Sequence, residues 1–130
     1  APRVSLLLKQ LGYDWSPEAI APYLATPPAD YRFYVVDWAG DVVAFLAIAR
    51  HFYFAEMRFI LRIMALCVEA SHRSQGIGAA LLAHGLAQAR QQDPTPVQIE
   101  VTCACHRDQA HRFYERQGFQ RQGIRLIKSH

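Results

Sequence analysis

The chain is poor in the features that would commit it to several broad classes. Of its 130 residues only three are cysteine, Cys67, Cys103 and Cys105. An odd count with no secretory leader predicts no disulfide framework and points to a reducing, cytoplasmic setting. The opening Ala1-Pro2-Arg3-Val4 leads directly into an amphipathic segment instead of the apolar core of a signal peptide. No apolar run approaches the ~18 residues that would span a bilayer, and the longest, Val42 to Ala49, fits a buried strand. There is no block of like charge, and no basic stripe interleaved with aromatics, which argues against nucleic acid as a partner. Low-complexity tracts, internal repeats and a linker are absent too.

What is present is a globular composition, 52% hydrophobic and 19% charged, with a net charge of +3. At this length one domain is expected, able to bury roughly two thirds of its unfolded surface without a staple. The mild positive charge suits a small anionic ligand.

Val4 to Leu11 places Leu7, Leu8 and Leu11 at helical spacing, with Gly12 as a stop. Ser16-Pro17-Glu18 reads as a cap, first helical residue and dipole-matched acid, and Pro22 predicts that this second helix is kinked or short. Tyr31 to Asp37 and Val42 to Ala49 form a hairpin across the turn 38–41, and His51 to Met57 an aromatic connection. Phe59 to Val68 is a third strand. A helix follows Arg73 and runs to about Gln92, with Ile77, Leu81 and Gly85 on one line and Gly78, Leu82, Leu86 and Ala89 on the next. Val97 to Cys105 alternates as a strand, with Val97, Ile99, Val101, Cys103 and Cys105 on one side. Asp108 to Gln117 is a helix stopped by Gly118, and Phe119 onward, through Ile124 to Ile127, is a final strand pair or one bent strand. The strand–helix–strand unit from Phe59 to Cys105 requires a crossover between parallel strands. The fold class is α/β or α+β with a mixed sheet.

The stretch that carries chemistry is Leu66-Cys67-Val68-Glu69-Ala70-Ser71-His72-Arg73-Ser74-Gln75-Gly76-Ile77-Gly78-Ala79. A buried strand ends and a helix opens on two glycines. The first amides of a helix lack internal partners and lie at the positive end of its dipole. Bare backbone at Gly76 and Gly78, with Arg73 nearby, makes a cradle for a pyrophosphate. Two glycines there also permit close helix–sheet packing, so the hexapeptide alone leaves both readings open. A dinucleotide fingerprint would need a third glycine where Leu81 stands, and a Walker loop a Lys-Ser or Lys-Thr after the second glycine; neither is present.

Ala110-His111-Arg112-Phe113-Tyr114-Glu115-Arg116-Gln117-Gly118-Phe119 closely resembles the late helix of the GCN5-related N-acetyltransferase (GNAT) superfamily, and Arg73 to Gly78 resembles that family's acetyl-CoA signature. The two motifs lie one helix and one strand apart, as in the family, and the likeness runs from about Tyr31 to Lys128. It implies a mostly antiparallel twisted sheet with a central, splayed parallel pair, flanked by helices on both faces. The function implied is transfer of an acetyl group from acetyl-CoA to a primary amine by direct attack in a ternary complex.

The resemblance also assigns roles. Leu66, Cys67 and Val68 offer backbone to the pantetheine arm, and the Val68 amide donates to the thioester oxygen. Arg73, Ser74, Gln75, Gly76, Ile77, Gly78 and Ala79 hold the diphosphate, with Ala110, Phe113, Tyr114 and Arg116 contributing from the late helix. Tyr114 is the general acid toward the leaving thiolate. Arg107 stands where many members carry Asn, and a guanidinium there could reach a phosphate. The family's usual first strand is not found, since Val4 already belongs to a helix; an unpaired sheet edge invites a partner strand, a homodimer among the options.

His51, Tyr53, Glu56 and Cys103 are expected to line the acceptor site, where the acceptor is a small-molecule or peptide amine. Arg58 and Arg62 share a strand face and could take an acidic substituent. Glu56, Glu69, His72 and His106 are candidate bases for the amine. Cys103, Cys105 and His106 do not make a metal site: the thiols would stand about 7 Å apart at strand spacing and no fourth ligand accompanies them. The competing class is a non-catalytic acyl-CoA sensor, against which the retained Tyr114 and both glycines speak.

Overall fold

The computed structural model describes residues 2–92, 98–102, 108–123 and 125–129. Two helices come first. α1 (Pro2–Leu11) turns Val4 and Leu7 onto the sheet, Leu7 completely buried. It closes as expected at Gly12, whose amide donates to the Lys9 carbonyl at 3.0 Å while the Tyr13 amide reaches Leu8 at 2.8 Å. α2 (Pro17–Ala25) starts on Ser16, whose hydroxyl accepts from the Ala19 amide at 3.2 Å. With Pro22 inside it, α2 is only nine residues long.

The sheet contains β1 (Tyr31–Trp38), β2 (Asp41–Tyr53), β3 (Arg58–Val68) and β4 (Gln98–Val101), in that spatial order. β1–β2 and β2–β3 are antiparallel and β3–β4 is parallel, the crossover running through α3 (Ile77–Gln92). α4 (Asp108–Arg116) follows β4. β2 is buried without interruption from Val43 to Ala49, because helices cover both faces. On one face Ala44, Leu46 and Ile48 pack with Leu61, Ile63, Leu81, Leu82 and Ala89, joined by Phe113, Tyr114 and Phe119 around α4. On the other, Phe45, Ala47 and Cys67 meet Val4 and Leu7 of α1, with Ile20 and Leu24 of α2. α3 lies flush on the sheet at Gly85, where a Cβ would stand 2.5 Å from Leu46 Cδ2.

Three expectations change. The segment 51–57 is not a long connection: β2 continues through His51 and Tyr53, which pair with Ile60 and Arg58, and a single 3₁₀ turn, Phe54–Glu56, closes the hairpin. Its aromatic residues continue the ladder as readily as they would line a loop. The parallel pair lies at one side of the described sheet, not at its centre. No strand occurs among the described residues after Phe119: Leu126 and Ile127 are 90% and 73% exposed, so no buried face fixes a register there. Ile124 lies outside the described residues, as do 93–97 and 103–107. Among the described residues, no helix is long and apolar enough to cross a membrane.

Candidate active site

β3 outlasts its parallel neighbour. The two pair from Ile60 with Gln98 to Ile63 with Val101, and no described strand accompanies β3 beyond that point. The register against β2 also slips there: Ala47 faces Ala65 while Ile48 faces Ile63, leaving Met64 as an extra residue. Such a bulge bends the strand that carries it. The last stretch of β3, from Ala65 to Val68, therefore has no strand partner on the β4 side among the described residues.

The direction of the backbone groups at that edge follows from alternation. The Glu69 amide donates to the Val43 carbonyl on β2 at 2.8 Å. Successive residues of a strand point their amides to opposite sides, so the Val68 amide and carbonyl, and those of Leu66, turn away from β2. Arg73 confirms the carbonyl: its Nε donates to Val68 O at 3.1 Å. Cys67 faces β2 with its backbone and buries its side chain in the α1 core.

The chain then turns through Ala70–His72, and Ser74 (φ 64°) and Gly76 (φ 77°) take left-handed conformations. The α3 ladder begins with the Ala80 amide donating to Gly76 O at 3.0 Å. The amides of Ile77, Gly78 and Ala79 thus precede the ladder, and the first turn holds no acidic residue to compete for them. The two glycines differ in purpose. A Cβ on Gly76 would meet nothing within 4 Å among the described residues, so the backbone there is uncovered by them. A Cβ on Gly78 would touch Val68 Cγ2 at 3.4 Å and the Phe113 ring at 3.5 Å. Gly78 is the packing glycine, bringing α3, the end of β3 and α4 together; Gly76 is the open one. A helix opening with bare backbone, amides without a partner among the described residues and an arginine beside it suits a diphosphate.

α4 carries Tyr114, half-buried with the Phe113 ring 5.1 Å away and the Phe119 ring 5.5 Å away, both edge-on. Val68, Ile77, Phe113 and Tyr114 all pack on the same core, so the strand end, helix opening and phenol share one face of the sheet. Ala110 is half-buried on the same helix and Arg116 is exposed. Arg107 and Cys103, with Cys105 and His106, lie outside the described residues.

Three of the four candidate bases are already engaged. Glu69 accepts from Arg3 Nη2 at 3.0 Å and stands 3.4 Å from His72 Nδ1. His72 also meets Ser71 Oγ at 3.1 Å. Glu56 accepts from Arg58 Nη2 at 2.8 Å. His51 and Tyr53 sit on β2 facing the side of α1, and the buried Nε2 of His51 has no hydrogen-bond partner among the described residues. One polar pair escaped the sequence reading: Arg62 Nε donates to Glu100 Oε1 at 2.6 Å across the β3–β4 ladder. Strand alternation does set Glu100 apart from Ile99 and Val101, but only the register brings it to Arg62.

Residues 29–121 match the family model described as an acetyltransferase (GNAT) domain. An aminoalkylphosphonate N-acetyltransferase of Salmonella typhimurium is 30% identical over 124 residues, covering 95% of this chain and 78% of that protein. Among solved structures, glucosamine-6-phosphate N-acetyltransferase from Arabidopsis thaliana superposes with a TM-score of 0.79 at 16% identity, covering 98% of this chain and 89% of that one. An aminoglycoside acetyltransferase from an uncultured soil metagenomic sample, in complex with sisomicin, gives 0.79 at 14% identity, with 98% and 86% covered. These structural likenesses speak for the fold; the match over 29–121 and the Salmonella relative speak for descent, and by them this chain belongs to the GNAT family of N-acetyltransferase enzymes.

Proposed function

We propose that the chain transfers an acetyl group from acetyl-CoA to the primary amine of a small acceptor by direct attack in a ternary complex. The observation that carries this reading is the outward-facing backbone of Val68, beside the opening of α3 and on the same face of the sheet as Tyr114. Acetyl-CoA, when bound, supplies the acetyl thioester. Leu66 and Val68 extend their backbone groups along the pantetheine arm as an added strand would. The Val68 amide donates to the thioester oxygen, and a fixed N–H is worth a few kcal/mol where negative charge develops. Tyr114 Oη delivers its proton to the departing sulfur, a role that general acids fill with roughly 10²- to 10⁴-fold effect. Gly76 to Ala79, with Arg73, hold the diphosphate.

The acceptor side lies across the sheet from α3 and α4. A small amine with an anionic group is the first class to test, because the Salmonella relative bears an aminoalkylphosphonate acetyltransferase's name. The decisive experiment measures thiol release from acetyl-CoA over a panel of amines, with calorimetry of acetyl-CoA binding alongside. Binding with amine-dependent thiol release is expected. No heat of binding, or thiol release indifferent to every amine, would overturn the reading.

A further inference from the structure

Between Val68 and the opening of α3 the chain makes a turn with little packing of its own. Among the described residues Ala70, Ser71 and 73–76 are exposed, and only Glu69 and His72 are half-buried. Such a segment keeps its shape through hydrogen bonds or opens locally. Two bonds lie within it, from the His72 amide to Glu69 O at 2.8 Å and from the Arg73 amide to Ala70 O at 3.4 Å. Ser74, with φ 64°, also holds a conformation that a residue with a side chain does not adopt unaided.

The first helix supplies further support. Arg3 and Gln10 are two turns of α1 apart, so both lie on one side of it, next to the stripe that buries Val4 and Leu7. Gln10 Oε1 accepts from the Ala70 amide at 3.2 Å. Arg3 Nη2 donates to Glu69 Oε2 at 3.0 Å while its Nε donates to Val42 O at 3.1 Å. One guanidinium thus ties the start of β2 to the residue that follows β3. The Arg3 and Glu69 side chains are 35% and 22% exposed, and an ion pair that accessible adds little to global stability. Its effect falls on the local freedom of the turn. From Ala70 the order passes on: its carbonyl accepts from the Arg73 amide, and Arg73 Nε donates to Val68 O at 3.1 Å. Gln10, Ala70, Arg73 and Val68 are joined in one series of hydrogen bonds, from α1 to the guanidinium beside the opening of α3.

Resting on the acetyltransferase reading above, we propose that Arg3 and Gln10 are positioning residues for the cofactor. From α1, on the opposite face of the sheet from α3, they hold the turn in the shape that receives the diphosphate. Acetyl-CoA then meets a cradle already formed, and its affinity is not reduced by the cost of ordering the turn. The reacting groups do not depend on this hold. The Val68 amide is set by the pairing of β3 with β2, and Tyr114 by the core around α4. Loss of the hold therefore falls on binding and not on the chemical step.

Gln10→Met tests this directly. It removes the acceptor oxygen at similar helix propensity and, because Gln10 is exposed, leaves the core intact. Acetyl-CoA affinity by calorimetry should fall about two- to tenfold, the net worth of one hydrogen bond. Exchange of the His72 and Arg73 amides with solvent deuterium should quicken by a similar factor. Arg3→Met should act in the same way, and Arg3→Lys, which keeps a charge toward Glu69, should recover part of the loss. In each variant kcat at saturating acetyl-CoA should stay within about threefold of wild type, as when binding alone is altered. A helix that merely packs would lose stability and leave the affinity of the folded protein unchanged. That result overturns the proposal, as does unchanged exchange at His72 and Arg73, or a fall in kcat as large as the fall in affinity. If Arg3→Met fails to fold, Gln10→Met decides alone. Variants that bind as tightly as a binding-competent wild type remove this inference only, whereas a wild-type chain that binds no acetyl-CoA removes the acetyltransferase reading with it.

Discussion

The Phe119 amide donates to the Tyr114 carbonyl at 3.0 Å, and the two rings stand 5.5 Å apart, edge to face. Together with the bond from the Gly118 amide to Glu115 O, also 3.0 Å, this is a paired closure of α4 with its accompanying apolar contact. The helix end therefore fixes the ring that packs on the phenol, while Phe113 holds its other flank. In this position Tyr114→Phe keeps the packing and removes only the hydroxyl. Turnover should fall by roughly 10²-fold or more, with acetyl-CoA affinity nearly unchanged. Unaltered turnover would reject the acid role.

The cap itself is testable. Gly118 has φ 95°, and a Cβ there would meet nothing within 4 Å among the described residues, so backbone strain is what opposes a side chain. Gly118→Ala should cost about 1–2 kcal/mol of stability, read as a drop in denaturant midpoint. A midpoint equal to wild type would mean that the closure does not hold the end of α4.

Gly85 works in the opposite manner. Its φ is ordinary, but an added methyl would stand 2.5 Å from Leu46 Cδ2, 3.3 Å from Ile48 Cδ1 and 3.4 Å from Tyr34 Cδ2. Leu46 and Ile48 are fully buried and have little room to retreat. Gly85→Ala gains about 1 kcal/mol in helix propensity yet meets an overpacking penalty of about 1–3 kcal/mol. Net destabilisation in thermal melts is expected; a raised melting temperature would show that α3 does not pack so closely.

Glu69 is next in sequence to the Val68 edge, which makes it an obvious base on paper. Its carboxylate instead turns to Arg3 of α1 and His72. Glu69→Gln should leave kcat within about threefold of wild type, since general-base effects run to 10² or more. A fall of that larger size would return Glu69 to the chemistry.

These cases show what the residues could tell in advance. Periodicity placed α1, α3 and α4 because each buries one line of side chains, and the Gly12 and Gly118 stops rest on a conformation only glycine takes at no cost. The Arg73–Gly78 loop and the Phe113-Tyr114 helix were legible as motifs, and the fold brings both to one core. Phe52 and Tyr53 extend β2 where the sequence predicts a connection, because aromatic runs suit either a strand end or a loop. The tail from Phe119, predicted as strand, forms none among its described residues, because alternation alone does not provide a partner. Arg62 and Glu100, 38 positions apart, meet only through the register of a parallel pair, and no local pattern encodes that.

Gly76 and Gly78 stand two residues apart in one motif but should answer oppositely to the same substitution. At Gly78 the backbone is helical, and a methyl would make ordinary contacts with Val68 and Phe113, the nearest at 3.4 Å. Gly78→Ala should therefore fold with stability within about 1 kcal/mol of wild type, helix propensity offsetting any crowding. At Gly76 the φ of 77° resists any side chain, and the methyl would enter space that no described residue fills, in front of the amides that precede the α3 ladder. Gly76→Ala should lose about 1–2 kcal/mol of stability. It should also weaken acetyl-CoA binding by about tenfold or more, as crowding by the methyl and a shift of the strained turn cost contacts worth about a kcal/mol each. Calorimetry on both variants checks the pair. Equal affinities for the two would mean that the diphosphate does not lie against Gly76, and the phosphate cradle would have to be sought elsewhere on the chain.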